Sequence, residues 1–148
     1  MNLLGTVVET FSAHKGYVGK QRPIVNQLDM IYGYGIEHDK FAGKNENRSV
    51  MIIGQKAYHI AKEHGIILPS GSLGENILLD FDPHMLSIGT VFSIGDVEFE
   101  ITQSCTICKH LSVFDERLPQ LLAEDRGLYC KILNNGIVVK DTEVKLKG

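Results

Sequence analysis

The residues best suited to chemistry in this chain are Cys105-Thr106-Ile107-Cys108, followed directly by Lys109 and His110. A thiol becomes a nucleophile as its thiolate, and cationic neighbours or a helix start favour that form. The pattern has four readings. A thioredoxin-like dithiol needs a βαβ context, which the surrounding sequence lacks. A structural zinc site needs four ligands, and Cys105, Cys108 and His110 supply three with no second pair at finger spacing. A single reactive cysteine with an incidental neighbour is the third. The fourth involves no chemistry, only two thiols packed as small hydrophobes. Cys130 sits in the alternating run LYCKIL, where a cysteine usually fills core.

Other polar pairs invite weaker readings. His38-Asp39 lies in the polar stretch GIEHDKFAGK, where a carboxylate beside an imidazole can bind a metal or tune a base. It can equally be ordinary solvated loop. Glu75 and Asn76 precede a fully apolar run. Turn chemistry explains them, or else a fixed carboxylate and amide face a pocket. His59 and His64 imitate a zinc-protease helix but fail its spacing. They stand at i and i+5, about 140° apart on a helix, rather than at i and i+4. Gly43-Lys44 lacks both the earlier glycine and the following Ser or Thr of a phosphate loop. Gly33-Tyr34-Gly35 lacks the third glycine of a dinucleotide fingerprint, because His38 stands there.

The elements that must position these groups are short and β-rich. Strands are expected at 3–11, 22–31, 48–53 and 75–80. Residues 90–103 predict a hairpin turning at Gly95-Asp96, with Val97, Phe99 and Ile101 on one face. Residues 128–147 predict a second hairpin, joined by Asn134-Asn135-Gly136. Helical spacing occurs only at 55–64, closed by Gly65, and at 113–124, where Ser112 is a candidate cap and Pro119 a break. The stretch 33–48 reads as a long functional loop. Many short strands with glycine turns point to a mostly-β barrel or sandwich.

Composition narrows the function classes. The chain has 148 residues, 22% charged and 43% hydrophobic, which excludes bulk disorder, collagen and coiled coil. Length and the absence of a linker predict one domain over residues 1–148. The net charge of −3 gives no support to a nucleic-acid binder. No apolar run approaches the roughly 20 residues of a membrane span. No secretory signal pattern opens the chain. Three cysteines do not make a disulfide framework, so the expectation is a cytoplasmic protein with reduced thiols, in which the sequon Asn47-Arg48-Ser49 is silent.

Five segments, in order, resemble the MOSC domain, the module found at the C-terminus of molybdenum-cofactor sulfurases and as small standalone bacterial proteins. Gly35-Ile-Glu-His38-Asp39-Lys resembles the family's Gly-x-x-Gly-Asp-Arg loop, with His38 where glycine is usual. Arg48-Ser-Val50 resembles the basic residue opening the next strand. Leu73-Gly74-Glu75-Asn76-Ile77 resembles Phe-Gly-Glu-Asn-Leu. Gln103-Ser-Cys-Thr-Ile-Cys108-Lys-His-Leu111 falls where the family has Gln-Pro-Arg-x-Pro-Cys-x-Lys-Leu. Asp125-Arg126-Gly127-Leu-Tyr129 resembles Arg-Arg-Gly-x-Tyr. The resemblance runs over about residues 1 to 147. It departs at Ser104 and Ile107, where prolines are usual, and at Cys105, where arginine is usual.

The resemblance implies a closed MOSC-type β-barrel with a few short helices and a cleft near the cysteine. It implies binding of the molybdenum cofactor (molybdopterin), or sulfur carried as a persulfide on Cys108, with reduction of N-hydroxylated substrates as one activity. Cys108 is then the catalytic thiol and molybdenum ligand, in keeping with the metal's thiophilicity. Glu75, Asn76, Lys109, Arg126, His38, Asp39 and Arg48 are its expected cofactor contacts, the cations meeting the phosphate. Expected partners are the cofactor and the proteins that make or accept it, with no nucleic acid and no membrane. A non-catalytic cofactor-binding or delivery module is the rival. A zinc- or redox-regulated barrel using Cys105 with Cys108 is a third reading. Of the three thiols, Cys108 is expected to be the most reactive.

Overall fold

Alternation decides the strands. Val97, Phe99 and Ile101 are buried, while Glu98, Glu100 and Thr102 between them are only half-buried. The computed structural model describes residues 2–105 and 109–147. Thr106, Ile107 and Cys108 lie outside the described residues, as do the side chains of Lys109 and His110. Ten strands are described, numbered in chain order: β1 (Leu3–Thr10), β2 (Leu28–Ile31), β3 (Gly35–Ile36), β4 (Val50–Gly54), β5 (Ile77–Leu79), β6 (Val91–Ile94), β7 (Val97–Ser104), β8 (Leu128–Ile132), β9 (Gly136–Val138) and β10 (Glu143–Leu146). Two α-helices are described, α1 (Gln55–Glu63) and α2 (Leu118–Leu121).

Seven strands close a barrel in the order β1-β10-β6-β7-β8-β4-β5, and β5 returns to β1. The remaining strands form a small sheet, β3-β2-β9. The expectation of a mostly-β closed barrel with short helices therefore holds. The β6–β7 hairpin turns at Gly95-Asp96 as expected, with Phe92 opposite Phe99. Those two rings stack at 5.4 Å in the barrel core.

One strand pair is parallel. β4 and β5 run side by side, Ile52 beside Ile77, and α1 bridges between them. Parallel strands are usually covered on both faces, and their sequences read as continuous apolar runs. Here Val50, Ile52, Ile77 and Leu79 point into the barrel core. Ile53 and Leu78 point outward into a second core with Ala57 and Ala61 of α1, Phe11, Leu118 and Leu122.

Two expectations are corrected. The chain from 128 to 147 is not a hairpin. β8 pairs with β7 and β4, whereas β9 leaves the barrel to pair with β2. Asn134 and Asn135 do not make a tight turn. Their side chains serve other loops: Asn134 Oδ1 accepts from Glu98 N (2.6 Å), and Asn135 Oδ1 accepts from Tyr32 N (2.7 Å). The predicted helix over 113–124 shrinks to Leu118–Leu121, preceded by a 3₁₀ turn at Lys109–Val113. Pro119 stands in the first turn of α2 and starts the helix rather than breaking it. A missing N–H costs nothing at that position. Ser112 lies inside the 3₁₀ turn and is no cap. In the extended segment 22–31 only Leu28–Ile31 is strand, with a single bridge from Ile24 to Phe11.

Candidate functional site

A cleft of about 700 Å³ opens between the loop after β1, the loops around residues 40–51 and 71–76, and Tyr129 of β8. That size suits a small molecule. Five cationic side chains line it: Lys20, Arg22, Lys40, Lys44 and Arg48. No carboxylate stands among its described lining residues. Tyr17, Phe41 and Tyr129 add aromatic surface, and Met51 and Val113 add apolar surface.

Asp39 fixes the first of these cations. It is only 7% exposed. Its Oδ1 accepts from Ser12 Oγ (2.6 Å), Ala13 N (3.3 Å) and Arg22 Nη1 (3.2 Å), and its Oδ2 accepts from Phe41 N (3.0 Å). One carboxylate thus ties the end of β1 to the loop after β3 and orients Arg22. Arg22 also donates from Nε to Gly74 O (3.0 Å), and its backbone N donates to Gly71 O (2.9 Å). Gly71 must be glycine. Its φ is +89°, and a Cβ there would stand 2.5 Å from Arg22 O.

Behind this wall lies Glu75, fully buried. Its Oε2 accepts from Tyr58 Oη (2.5 Å) and Gly71 N (3.3 Å), while Oε1 has no hydrogen-bond partner. No cation faces it among the described residues, and burial raises its carboxyl pKa despite those hydrogen bonds. Burial also raises the Tyr58 phenol, with the Glu75 charge second. Asn76, 3% exposed, lines the cleft and clamps the backbone on both sides. Its Oδ1 accepts from Met51 N (3.0 Å), and its Nδ2 donates to Phe11 O (3.1 Å).

Arg48 forms the opposite wall. With the Gln103 amide assigned to satisfy both groups, Gln103 Oε1 accepts from Arg48 Nε (2.8 Å) and Nη2 (3.2 Å). The guanidinium lies over the Tyr129 ring at 5.6 Å. The Thr102 hydroxyl donates to Asn47 O and pins the turn that delivers Arg48. Beneath Tyr129 lies buried Cys105, whose Sγ donates to Tyr129 Oη at 3.8 Å. Burial, then the neighbouring Cys105, pushes the Tyr129 phenol up to about 12.

A family model for the MOSC domain matches residues 38–145. The chain belongs to the MOSC domain family. No curated protein sequence matches it. Solved structures similar in fold to this MOSC domain include the following three. YiiM from Escherichia coli has 17% identity and a TM-score of 0.67, over 97% of this chain and 70% of that one. The YUAD protein from Bacillus subtilis has 16% identity and a TM-score of 0.72, over 97% and 96%. YiiM from Geobacillus stearothermophilus has 15% identity and a TM-score of 0.71, over 99% and 75%.

The expected contacts of the MOSC domain separate into four groups. Arg48 and Asn76 line the cleft. Asp39 and Glu75 do not; they are buried supports that hold Arg22 and the loop at 71–74. His38 points to solvent with an 85% exposed side chain, 3.8 Å from Glu37, and forms no wall of the cleft. Its φ of +68° is the notable feature, since that left-handed backbone suits the glycine usual in the family. Arg126 is not among the lining residues either; its Nη2 donates to Pro119 O at 3.5 Å. Cys108 and the Lys109 side chain lie outside the described residues; of Glu75, Asn76 and Arg126, only Asn76 lines the cleft.

Arg22, Lys20, Lys40 and Lys44 escaped the sequence reading. The available signal was local charge. Residues 15–48 carry six basic and four acidic side chains, although the whole chain carries 15 and 18. One titratable cluster lies elsewhere. Asp82, His84 and Asp125 gather on the outside of the barrel. Lys56 Nζ stands 3.5 Å from both aspartates and already supplies the counter-charge.

Proposed function

We propose that this MOSC domain binds the molybdenum cofactor in the cationic cleft. Arg22 and Arg48 receive the phosphate, Tyr129 and Met51 flank the heterocycle, and Cys108 is the sulfur that meets molybdenum or carries a persulfide. The observation that carries the reading is the cleft itself: five cations, no lining carboxylate among the described residues, and aromatic walls in a volume of about 700 Å³. A phosphorylated flat ring system needs this combination of positive charge and aromatic surface. The residues present therefore fit the group. Bound there, the cofactor would supply a redox-active metal, and reduction of N-hydroxylated substrates is the activity we propose for it.

The chain's own contribution is orientation. Asp39 and Gly74 O fix Arg22, Gln103 and Tyr129 fix Arg48, and Asn76 locks the backbone between them. Metal and pterin analysis of the protein purified from a cofactor-producing host tests the reading. About one pterin per chain is expected, with less retained in Cys108→Ser or Arg48→Gln. A pterin-free protein from such a host would refute it. Turnover of an N-hydroxylated substrate with an electron donor then separates an enzyme from a delivery module.

A further inference from the structure

The charge count in the cleft goes beyond what one phosphate needs. Lys20, Lys40 and Lys44 line it and make no ion pair among the described residues. Arg48 is held by a neutral amide. Arg22 alone has a carboxylate partner, and that carboxylate, Asp39, is buried beside it. The site is thus five positive charges against one negative. Three of them surround a single ring: Arg22 Cζ, Lys40 Nζ and Lys44 Nζ stand 5.1, 5.3 and 5.7 Å from the Phe41 centroid. Phe41 is itself 44% exposed. The quadrupole of one ring offsets only part of the mutual repulsion of three cations. An anion filling the cleft relieves the rest.

A phosphate monoester brings roughly −1.5 to −2 charges at neutral pH, which leaves at least two of the excess positive charges unmet. A second, anhydride-linked phosphate adds about one more negative charge and supplies about half of the difference. Resting on the reading of the cleft as the ligand site, we propose that it selects ligands with two or more linked phosphates over monophosphates, with Lys40 and Lys44 providing the selectivity. Polynucleotide phosphate is the other source of repeated phosphate charge. The acidic balance outside residues 15–48, nine basic against fourteen acidic side chains, disfavours it.

Isothermal titration of the full chain with inorganic pyrophosphate and inorganic phosphate tests this, at about 0.1 M ionic strength to limit long-range effects. Pyrophosphate is expected to bind at least about tenfold more tightly, given the extra charge contacts. In a Lys40→Gln/Lys44→Gln double variant, folded by circular dichroism, the ratio is expected to fall to about threefold or less. Lys44→Gln alone is expected to lower it part-way and serves if the double variant does not fold. Equal affinities in the wild type, an unchanged ratio in the folded variants, or tighter binding of a short oligothymidylate than of pyrophosphate would each overturn the proposal. Bound pterin without pyrophosphate preference would remove this inference and leave the cofactor reading. Pyrophosphate preference in a protein that never acquires pterin would do the reverse.

Discussion

Glu75→Gln should change the pH dependence of stability in a way that few surface substitutions could. The Glu75 carboxyl is fully buried, and among the described residues it meets a phenol and backbone N–H groups of residues 71–75 but no cation. Burial raises its pKa above the ordinary 4.5. The folded state therefore keeps a proton that the unfolded state has already released. Stability from this site is greatest below the unfolded pKa and falls as pH rises toward the folded one. The slope is about 1.4 kcal/mol for each pH unit in which only the folded form is protonated. Glutamine keeps the shape and the oxygen that Tyr58 and Gly71 address, but cannot ionise. Its new amide hydrogens find no partner, a fixed cost of about 1–3 kcal/mol. Urea unfolding at pH 4.5, 5.5 and 6.5 should show the variant weaker at the lowest pH and gaining on the wild type as pH rises. A constant offset between the two proteins at all three pH values would refute the raised pKa of the Glu75 carboxyl.

Other substitutions test the frame around the cleft. His38→Gly should stabilise by roughly 0.5–1 kcal/mol in urea unfolding, because glycine accepts the φ of +68° at little steric cost; no gain would mean the left-handed backbone is unstrained. Asn76→Ala should destabilise by about 2–4 kcal/mol, since it orphans the buried Met51 N–H and Phe11 carbonyl together; a loss below about 1 kcal/mol would mean that water replaces the amide. Cys130 is fully buried, and burial raises its thiol pKa. It should resist alkylation in the native protein and label only on unfolding, read by peptide mass; native labelling ahead of Cys108 would contradict the ranking of the thiols.

The sequence disclosed the elements whose side-chain period is tied to one packing partner. The strict alternation of Val97, Phe99 and Ile101 gave β7, and the spacing of Ala57 and Ala61 gave α1. It misled where partner choice is non-local. Nothing in residues 128–138 distinguishes a β8–β9 hairpin from strands that part to separate sheets. That choice belongs to Leu28 and Met30 on β2 and to the loop hydrogen bonds of Asn134 and Asn135.

The site divides the same way. Glu75-Asn76 stood out as polar residues before an apolar run, but a sequence does not tell a buried polar group facing a ligand from one facing backbone. Asn76 lines the cleft and clamps backbone at once, and Glu75 faces only backbone and Tyr58. Asp39 stood out beside His38 in the sequence, but its buried pairing with Arg22 was not legible, because that pairing crosses 17 residues.

The most direct measurement is the affinity of the apo protein for isolated molybdopterin, compared between wild type and Arg48→Gln. Arg48 lines the cleft and is held by Gln103 and Tyr129, so the comparison uses variant protein shown to be folded by circular dichroism. Loss of one oriented guanidinium–phosphate contact should weaken binding by about tenfold or more, a charge-assisted hydrogen bond being worth about 1.5–3 kcal/mol. Wild-type protein that does not bind the pterin, or a folded Arg48→Gln that binds it equally well, would contradict the assignment of this cleft.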